Sequence, residues 1–362
     1  MKILEIFKFA LLSPLSFLWE QVYRIRRNLY EYGVLKRAYF KVPVISVGNI
    51  TFGGTGKTPF IIWLTEYFHR EAMTAAVLTR GYKGNLENNS GVIKSGQTFR
   101  SNPVDYGDEP LLISRRMKSG AVIVGKKRSQ NLKRYFSEIN PDVVLLDDGF
   151  QHLELYRSFN ILLFDATLPI KQYQVAPRGY LREGLTALKD ADAIVLSRCD
   201  QVSPNRIKEL TDFIAPYHHP DIPMVKIRYI PTGLYNTYYK KIFEIEDIKG
   251  LKVIAVAAIA SPESFYQLLE SLGAEVLDKV SFPDHHFFTP EDINELLIKA
   301  SKHDAVVVTS EKDMVKMRRI GQDSRLMCLN VLVEFLDGEA ALTTEMRKIL
   351  KSTNKQNIGV HY

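Results

Sequence analysis

The chain has 362 residues, more than one compact core usually holds, so its length predicts two domains. Its 46% hydrophobic and 25% charged residues exclude global disorder, and its two isolated cysteines argue against a disulfide framework or a zinc site. A net charge of +7 favours anionic partners (nucleic acid, phosphorylated substrates or an anionic membrane surface), although solubility alone would also account for it.

The first 35 residues form a segment unlike the rest of the chain. Apolar residues recur at helical spacing, which predicts an interfacial helix lying in one membrane leaflet, with Pro14 breaking or kinking it. The alternative is an amphipathic helix packed on the protein's own core. The apolar stripe consists of Leu4, Phe7, Leu11, Leu15, Leu18 and Val22. The headgroup-level rings are Trp19, Tyr23 and Tyr30, and the basic collar is Arg24, Arg26, Arg27, Lys36 and Arg37.

Residues 36–225 contain apolar runs of strand length that alternate with helical patterns. This alternation predicts a mostly parallel sheet covered by helices on both faces, an α/β/α fold whose ligands bind beyond the carboxyl ends of the strands. The runs are Val42–Val47, Ala75–Thr79, Ala121–Val124, Val143–Leu146, Ile161–Phe164 and Ala193–Leu196.

A second, smaller α/β unit is predicted for residues 247–325, where apolar runs at 251–260 and 305–308 flank a helical pattern. The segments 226–246 and 326–336 are expected to pair as a two-stranded linker. A helix over 338–352 is expected to return to the first unit.

The loop from Thr51 to Thr58 is the strongest signal of function. It resembles the Walker A sequence G-x-x-x-x-G-K-[ST], with Thr51 in place of the first glycine. Backbone N–H groups in such a loop form a phosphate nest, a lysine reaches the β- and γ-phosphates, and a hydroxyl ligates Mg²⁺. The predicted nucleotide-binding residues are Thr51, Phe52, Gly53, Gly54, Thr55, Gly56, Lys57 and Thr58.

Two pairs of carboxylates are candidates for the chemistry. Asp147 and Asp148 end a buried strand, as a Walker B sequence does, although an Asp-Asp-Gly sequence can also be a turn. Asp108 and Glu109 are the pair that a kinase needs to accept a hydroxyl proton and to support Mg²⁺. Asp108 could instead be a helix N-cap. The predicted metal ligands are Thr58, Asp147, Asp148 and Glu109.

Seven motifs, in order, resemble the tetraacyldisaccharide 4′-kinase (lipid A 4′-kinase) family over roughly residues 1–345. They are SVGNITFGGTGKTP from Ser46, LTRGYKG from Leu78, GDEP from Gly107, DDGFQH from Asp147, APRGYLRE from Ala176, FPDHH from Phe282 and TSEKDMVK from Thr309. The resemblance implies two α/β/α domains with ATP and Mg²⁺ between them. It also implies transfer of the ATP γ-phosphate to the 4′-hydroxyl of tetraacyldisaccharide 1-phosphate, in lipid A biosynthesis, by a peripheral or monotopic protein at the cytoplasmic face of the bacterial inner membrane.

The resemblance implies roles for single residues. Asp108 would be the catalytic base, and His285 would close over the site and work with Asp108 or the metal, beside Lys57. Glu311, Lys312 and Asp313 match a motif without a derivable role, and Ser197–Asp200 is at most a loop that contacts the base. Apart from the resemblance, arginine forks suit phosphate, so Arg80, Arg178 and Arg182 are candidate contacts to the lipid phosphate or the transferred group, with solvent exposure or pairing with Glu183 as the alternative. Gln151 and His152 follow the Walker B strand and are expected to line the substrate site.

The competing hypothesis is a P-loop GTPase or ATPase that switches conformation or inserts a metal. Such a protein gives its phosphoryl group to water, whereas a lipid kinase gives it to an acceptor that must be met at the bilayer. The N-terminal segment therefore favours the kinase. We expect no nucleic-acid partner and infer no obligate protein partner.

Overall fold

The computed structural model describes residues 2–97 and 101–358, with side chains described for residues 12–97 and 101–352. The helices are α1 (Lys2–Glu31), α2 (Lys57–Arg70), α3 (Pro103–Tyr106), α4 (Asp108–Arg116), α5 (Arg128–Ile139), α6 (Pro204–Ile214), α7 (Pro262–Ser271), α8 (Pro290–Lys302), α9 (Glu311–Met317) and α10 (Glu339–Ile358). The strands are β1 (Val44–Gly48), β2 (Ala75–Thr79), β3 (Gly91–Lys94), β4 (Ala121–Val124), β5 (Val143–Asp147), β6 (Phe159–Asp165), β7 (Ala193–Ser197), β8 (Met224–Asn236), β9 (Lys241–Phe243), β10 (Lys252–Ala257), β11 (Glu275–Ser281), β12 (Val306–Ser310) and β13 (Leu326–Asp337).

Within the described ranges these strands form one sheet, in the order β11-β10-β12-β13-β8-β7-β6-β1-β5-β2-β4-β3, with β9 beside β8. Strands β7, β6, β1, β5, β2 and β4 run parallel to one another, and β3 is antiparallel to β4. Strands β1, β2, β4 and β5 are buried along their whole length, because helices cover both faces of a parallel sheet. The predicted α/β class is confirmed.

The long strands β8 and β13 connect the two halves of the sheet. They pair antiparallel from Met327 opposite Asn236 to Asp337 opposite Lys226. The start of β8 also pairs with β7, and the start of β13 pairs with β12, so each strand belongs to both the ribbon and one half of the sheet. The expected pairing of these two segments is therefore present, whereas the domain boundaries at 35, 225, 246 and 325 stay a prediction.

The C-terminal helix packs onto the core of the P-loop half. Helix α2 buries Phe60, Ile61 and Leu64 in that core, and Leu342 and Met346 of α10 belong to the same cluster. Burial of such side chains stabilises a fold by about 2 kcal/mol each, so this contact fixes α10 beside the element that follows the P-loop.

Strands β3 and β11 are absent from the predicted runs. Strand β11 exposes every second residue at one edge of the sheet, and β3 has only four residues at the other edge. Edge strands lack cover on one side and need few apolar residues, so their sequences carry little signal.

Helix α1 is continuous through Pro14, so the expected break is wrong. A proline removes only one backbone donor, and contacts of the following turns with the rest of the protein hold the helix together. The side chains of Leu4, Phe7 and Leu11 lie outside the described residues. Among the described helices, none has both the length and the apolar character needed to cross a bilayer.

Candidate active site

The P-loop connects β1 to α2 and is held by a neighbouring segment. Gly53 and Gly56 have φ values of 97° and 83°, in the left-handed region that glycine adopts without strain, which explains their place in the loop. The Phe52 N–H donates to the Tyr180 carbonyl at 2.7 Å, and Thr51 pairs with Leu181. The loop from Thr51 to Thr58 thus lies at the carboxyl end of β1, as predicted.

Lys57 points to the end of the adjacent strand. Its Nζ lies 3.1 Å from Asn49 Oδ1 and 3.2 Å from Asp148 Oδ1, and Arg182 Nη1 donates to Asp148 Oδ2 at 2.8 Å. Burial alone would raise the pKa of Asp148, but Lys57 and then Arg182 outweigh it and hold that pKa far below its ordinary value. The structure therefore brings three predicted residues together: Lys57, Asp148 and Arg182.

Asp147 lies deeper in the same site. Thr79 Oγ1 donates to its Oδ2 at 2.9 Å, and the pairing of Val47 with Asp147 places it beside the start of the P-loop. Burial, followed by the charges of Glu109 and Asp148, raises the pKa of Asp147 to about 6. Crowded carboxylates with a nearby hydroxyl are the hard oxygen donors that Mg²⁺ prefers.

Two of the four predicted magnesium ligands are carboxylates that already pair with basic side chains. Asp148 already contacts Lys57 and Arg182, and Glu109 Oε1 lies 3.3 Å from Lys312 Nζ. Across the described residues, no three Asp, Glu, His or Cys side chains converge as ligands of one cation. The strand pairing places Asp147 beside the start of the P-loop, and the full set of four ligands stays a prediction.

Asp108 is the first residue of α4 and is almost fully buried. Gly107 is the N-cap, so the alternative role of Asp108 as the cap is wrong. Asp108 Oδ1 accepts the Glu109 N–H at 2.9 Å, and Oδ2 lies 3.0 Å from His285 Nδ1. Burial raises the pKa of Asp108, but the hydrogen bond from His285, with the charge of Lys312, lowers it to about 2.

His285 reaches Asp108 from the other half of the sheet. Its backbone has φ 64°, a strained conformation for a non-glycine residue, and its ring packs edge-on against Tyr82 at 5.5 Å. Lys312 Nζ lies 3.5 Å from His285 Nε2. A proton on Nδ1 satisfies both contacts, because Nδ1 then donates to Asp108 and Nε2 accepts from the lysine. By contrast, His286 bonds to Asp292.

The structure also gives the surroundings of the other predicted substrate residues. Gln151 Nε2 donates to the Asn49 carbonyl at 2.9 Å and to Glu183 Oε1 at 2.8 Å, so it lies beside the P-loop and Arg182. Burial, followed by the charge of Arg128, lowers the pKa of His152 to about 3, so this residue is neutral. Of the other two predicted arginines, the Arg80 side chain pairs with Glu87, and the backbone N–H of Arg178 donates to Ser16 Oγ.

Helix α1 forms one wall beside this site. Trp19 Nε1 donates to the Arg182 carbonyl at 2.8 Å, and Arg26 Nη1 donates to the Gln151 carbonyl at 2.8 Å. Arg27 is buried and pairs with Glu183 at 2.6 Å and with Asp190. The expectation that Arg27 faces lipid is therefore wrong, because a helical pattern does not reveal which cations find partners inside the protein. Arg26 is half-buried, and its contact with lipid stays a prediction. Apolar side chains of α1 that remain exposed are Leu15, Phe17, Leu18, Val22 and Ile25.

Several residues of the site carry no decisive signal in the sequence. Arg128 is buried and donates to the Asp148 carbonyl at 3.2 Å, and Tyr229 Oη donates to the Gly56 carbonyl at 3.1 Å. Ser197 Oγ donates to the Thr55 carbonyl at 3.0 Å, so the loop at 197–200 begins by supporting the P-loop. Lys312 lies beside Glu109 and His285, and its motif at 309–316 was the only signal for it.

Comparison with known proteins gives one consistent result. A family model described as Tetraacyldisaccharide-1-P 4'-kinase matches residues 8–351. Tetraacyldisaccharide 4'-kinase from Syntrophotalea carbinolica is 37% identical over 314 residues, covering 87% of this chain and 85% of that protein. The protein of the same name from Pelobacter propionicus is 34% identical over 344 residues, covering 94% and 92%. The crystal structure of "apo" form LpxK from Aquifex aeolicus in complex with ATP has a TM-score of 0.75 at 28% identity, covering 93% of this chain and 98% of that one.

Proposed function

This chain belongs to the tetraacyldisaccharide-1-P 4'-kinase family, and from that premise we propose how its residues carry out the reaction. It is an ATP-dependent kinase that transfers the γ-phosphate of ATP to the 4′-hydroxyl of tetraacyldisaccharide 1-phosphate. One observation carries the assignment of roles: a series of charged side chains has Lys57 in contact with Asp148, next to Asp147, at its P-loop end, and Asp108 in contact with His285, next to Glu109, at its other end.

The P-loop end of this series is suited to the phosphates of ATP. The backbone N–H groups before α2 and the Lys57 ammonium are donors for β- and γ-phosphate oxygens. Arg182 lies on the other side of Asp148 and supplies a second positive charge where negative charge develops. Mg²⁺, when bound, neutralises charge on the phosphates, and Thr58 and Asp147 would hold it.

The other end of the series is suited to the acceptor hydroxyl. Asp108 is ionised at pH 7, so its carboxylate accepts the proton that the 4′-hydroxyl loses. A pKa near 2 makes it a weak base, but phosphoryl transfer depends chiefly on positioning and charge stabilisation. His285 donates to Asp108 from the other half of the sheet, so the base is complete only when the two halves lie together.

This dependence supports the domain division as part of the mechanism. We propose a P-loop domain over 36–225 and a second domain over 247–325, joined by the β8–β13 ribbon, with α10 packed on the first. Closure of the two domains excludes water that would otherwise take the phosphoryl group.

The deciding experiment follows the fate of the phosphate. The protein is incubated with γ-labelled ATP, Mg²⁺ and the acylated disaccharide phosphate, and label is measured in lipid and as free phosphate. Lipid kinase activity predicts label in the lipid, lost in Asp108→Asn and retained in the matched control Asp105→Asn, whose carboxylate accepts from Asn85. Label that appears only as free phosphate would support a nucleotide switch instead.

We also propose that the exposed apolar side chains of α1 seat the enzyme on the cytoplasmic face of the inner membrane. Phe17, Leu18 and Val22 are each more than half exposed, while the opposite side of the helix contacts Arg182 and Glu183. A helix with this division lies in the interface plane, with its apolar face toward the acyl chains. The 4′-hydroxyl of a membrane lipid would then meet the site beside α1.

Vesicle sedimentation tests this placement. The triple variant Phe17→Ser, Leu18→Ser, Val22→Ser should lose most of its recovery with anionic vesicles and show a raised KM for lipid but an unchanged KM for ATP. Ile298→Ser, which alters an exposed apolar residue of α8, is the control. Full recovery of the triple variant with vesicles would contradict the proposal.

A further inference from the structure

Lys316 is a buried lysine that the mechanism above does not use. It lies on α9, its side chain is only 4% exposed, and its Nζ lies 2.9 Å from Asp313 Oδ1 and 3.6 Å from Asp108 Oδ2. The lysine belongs to the second half of the sheet, whereas Asp108 begins a helix of the P-loop half. A buried ammonium group is costly unless carboxylates face it, so both contacts matter to its position.

Asp313 is fixed more firmly than a surface carboxylate. It is fully buried, and its Oδ2 accepts the Ala258 N–H at 2.9 Å and the Ser310 hydroxyl at 2.8 Å. These bonds attach Asp313 to the end of β10 and to the start of α9. Because Asp313 Oδ1 pairs with Lys316, the fixed position of Asp313 in the second half of the sheet keeps the lysine ammonium group close to Asp108.

The neighbouring Lys312 differs in exposure and in contacts. Its side chain is 19% exposed, and its Nζ lies nearest to Glu109 Oε1, at 3.3 Å. Lys312 is therefore the more accessible of the two lysines, whereas Lys316 approaches Asp108 from within the protein. We expect an effect of Lys316 on the reaction to pass through Asp108, which its ammonium group faces.

We propose that Lys316 is a positioning residue for Asp108, held in place by Asp313, and that it orients the carboxylate across the contact between the two halves. The inference rests on the proposed role of Asp108 as the group that accepts the hydroxyl proton. Asp108 Oδ2 then lies between His285 at 3.0 Å and the two lysine ammonium groups, of which Lys316 is the nearer at 3.6 Å and Lys312 lies at 3.9 Å. A carboxylate free to rotate would be poorly aligned with the acceptor.

Steady-state kinetics of Lys316→Met test the proposal. A misplaced catalytic group costs about 100-fold in rate, so kcat should fall by about that factor, with KM for ATP and for lipid nearly unchanged. The control is Lys299→Met, which removes an exposed lysine of α8 that pairs with Asp278 of β11. This variant should leave kcat unchanged. Ethylammonium should restore part of the activity of Lys316→Ala, because it supplies the missing cation without the tether.

A double-mutant cycle separates the inference from the proposed function. If Lys316 acts through Asp108, then Lys316→Met should cause no further loss, within about twofold, of the small residual rate that remains in Asp108→Asn. A rate near that of wild type in Asp108→Asn would overturn the proposed role of Asp108 itself. If Asp108→Asn loses its activity but Lys316→Met keeps a normal kcat, the role of Asp108 stands and only the positioning role of Lys316 is overturned.

Folding is the remaining alternative, and two outcomes decide it. If Lys316→Met melts at the wild-type temperature and loses kcat, the positioning role stands. If both Lys316 variants unfold early, and ethylammonium restores their stability but not their activity, the lysine is structural and the proposal is wrong.

Discussion

The contact between Asp108 and His285 makes a quantitative prediction about stability and pH. The pKa of Asp108 is lowered from 3.8 to about 2 in the folded protein. Each pKa unit corresponds to about 1.4 kcal/mol, so the ionised carboxylate contributes about 2 kcal/mol to the free energy of unfolding at pH 7. Because the folded pKa is depressed, this contribution is present above pH 4 and is lost as the pH falls toward 2.

Urea unfolding of wild type and Asp108→Asn at pH 7, 5 and 3 measures this contribution. The difference in unfolding free energy between the two proteins should contain a pH-dependent part of about 2 kcal/mol, constant from pH 7 to 5 and shrinking below pH 4. The same measurement on Asp105→Asn, which removes a carboxylate that accepts from Asn85, is the control. A wild-type-to-mutant difference that is the same at pH 3 as at pH 7 would refute the assignment of a paired, ionised Asp108.

Three further outcomes test other parts of the site. Lys57→Ala should reduce label transfer to lipid by at least about 100-fold in a protein that stays folded, because it removes a donor to the phosphates. Near-normal transfer would contradict the P-loop assignment. Burial raises the pKa of Asp147 to about 6, so protons compete with Mg²⁺ for its carboxylate near and below that pH. The half-saturating Mg²⁺ concentration should therefore rise about fivefold between pH 6 and pH 5, and a constant value would argue against Asp147 as a ligand. His285→Ala should lower kcat by about 100-fold, whereas His286→Ala, which breaks a bond to Asp292, should not; equal effects would exclude a special role for His285.

In α1 the sequence pattern predicted the helix and its exposed apolar side chains correctly but not the burial of its charged residues. Its spacing predicted a helix with an apolar stripe, and Leu15, Leu18 and Val22 do lie on the exposed side. The same pattern placed Arg27 in a lipid-facing collar, but Arg27 is buried against Glu183, 156 positions away in the sequence. The pairing of charges so far apart depends on the whole fold, and helical periodicity carries no information about it.

The sequence by itself determined the buried parallel strands, the P-loop between β1 and α2, and the family. Each of these rests on a local rule: apolar runs of strand length, glycines where the backbone needs positive φ, and motifs in a fixed order. Only the tertiary structure decided that Asp108 meets His285 and Lys316, which lie far away in the sequence, and that edge strands β3 and β11 complete the sheet. The physical reason is that short-range sterics and hydrophobicity act within a segment, whereas ion pairs and edge pairing depend on which segments fold against each other.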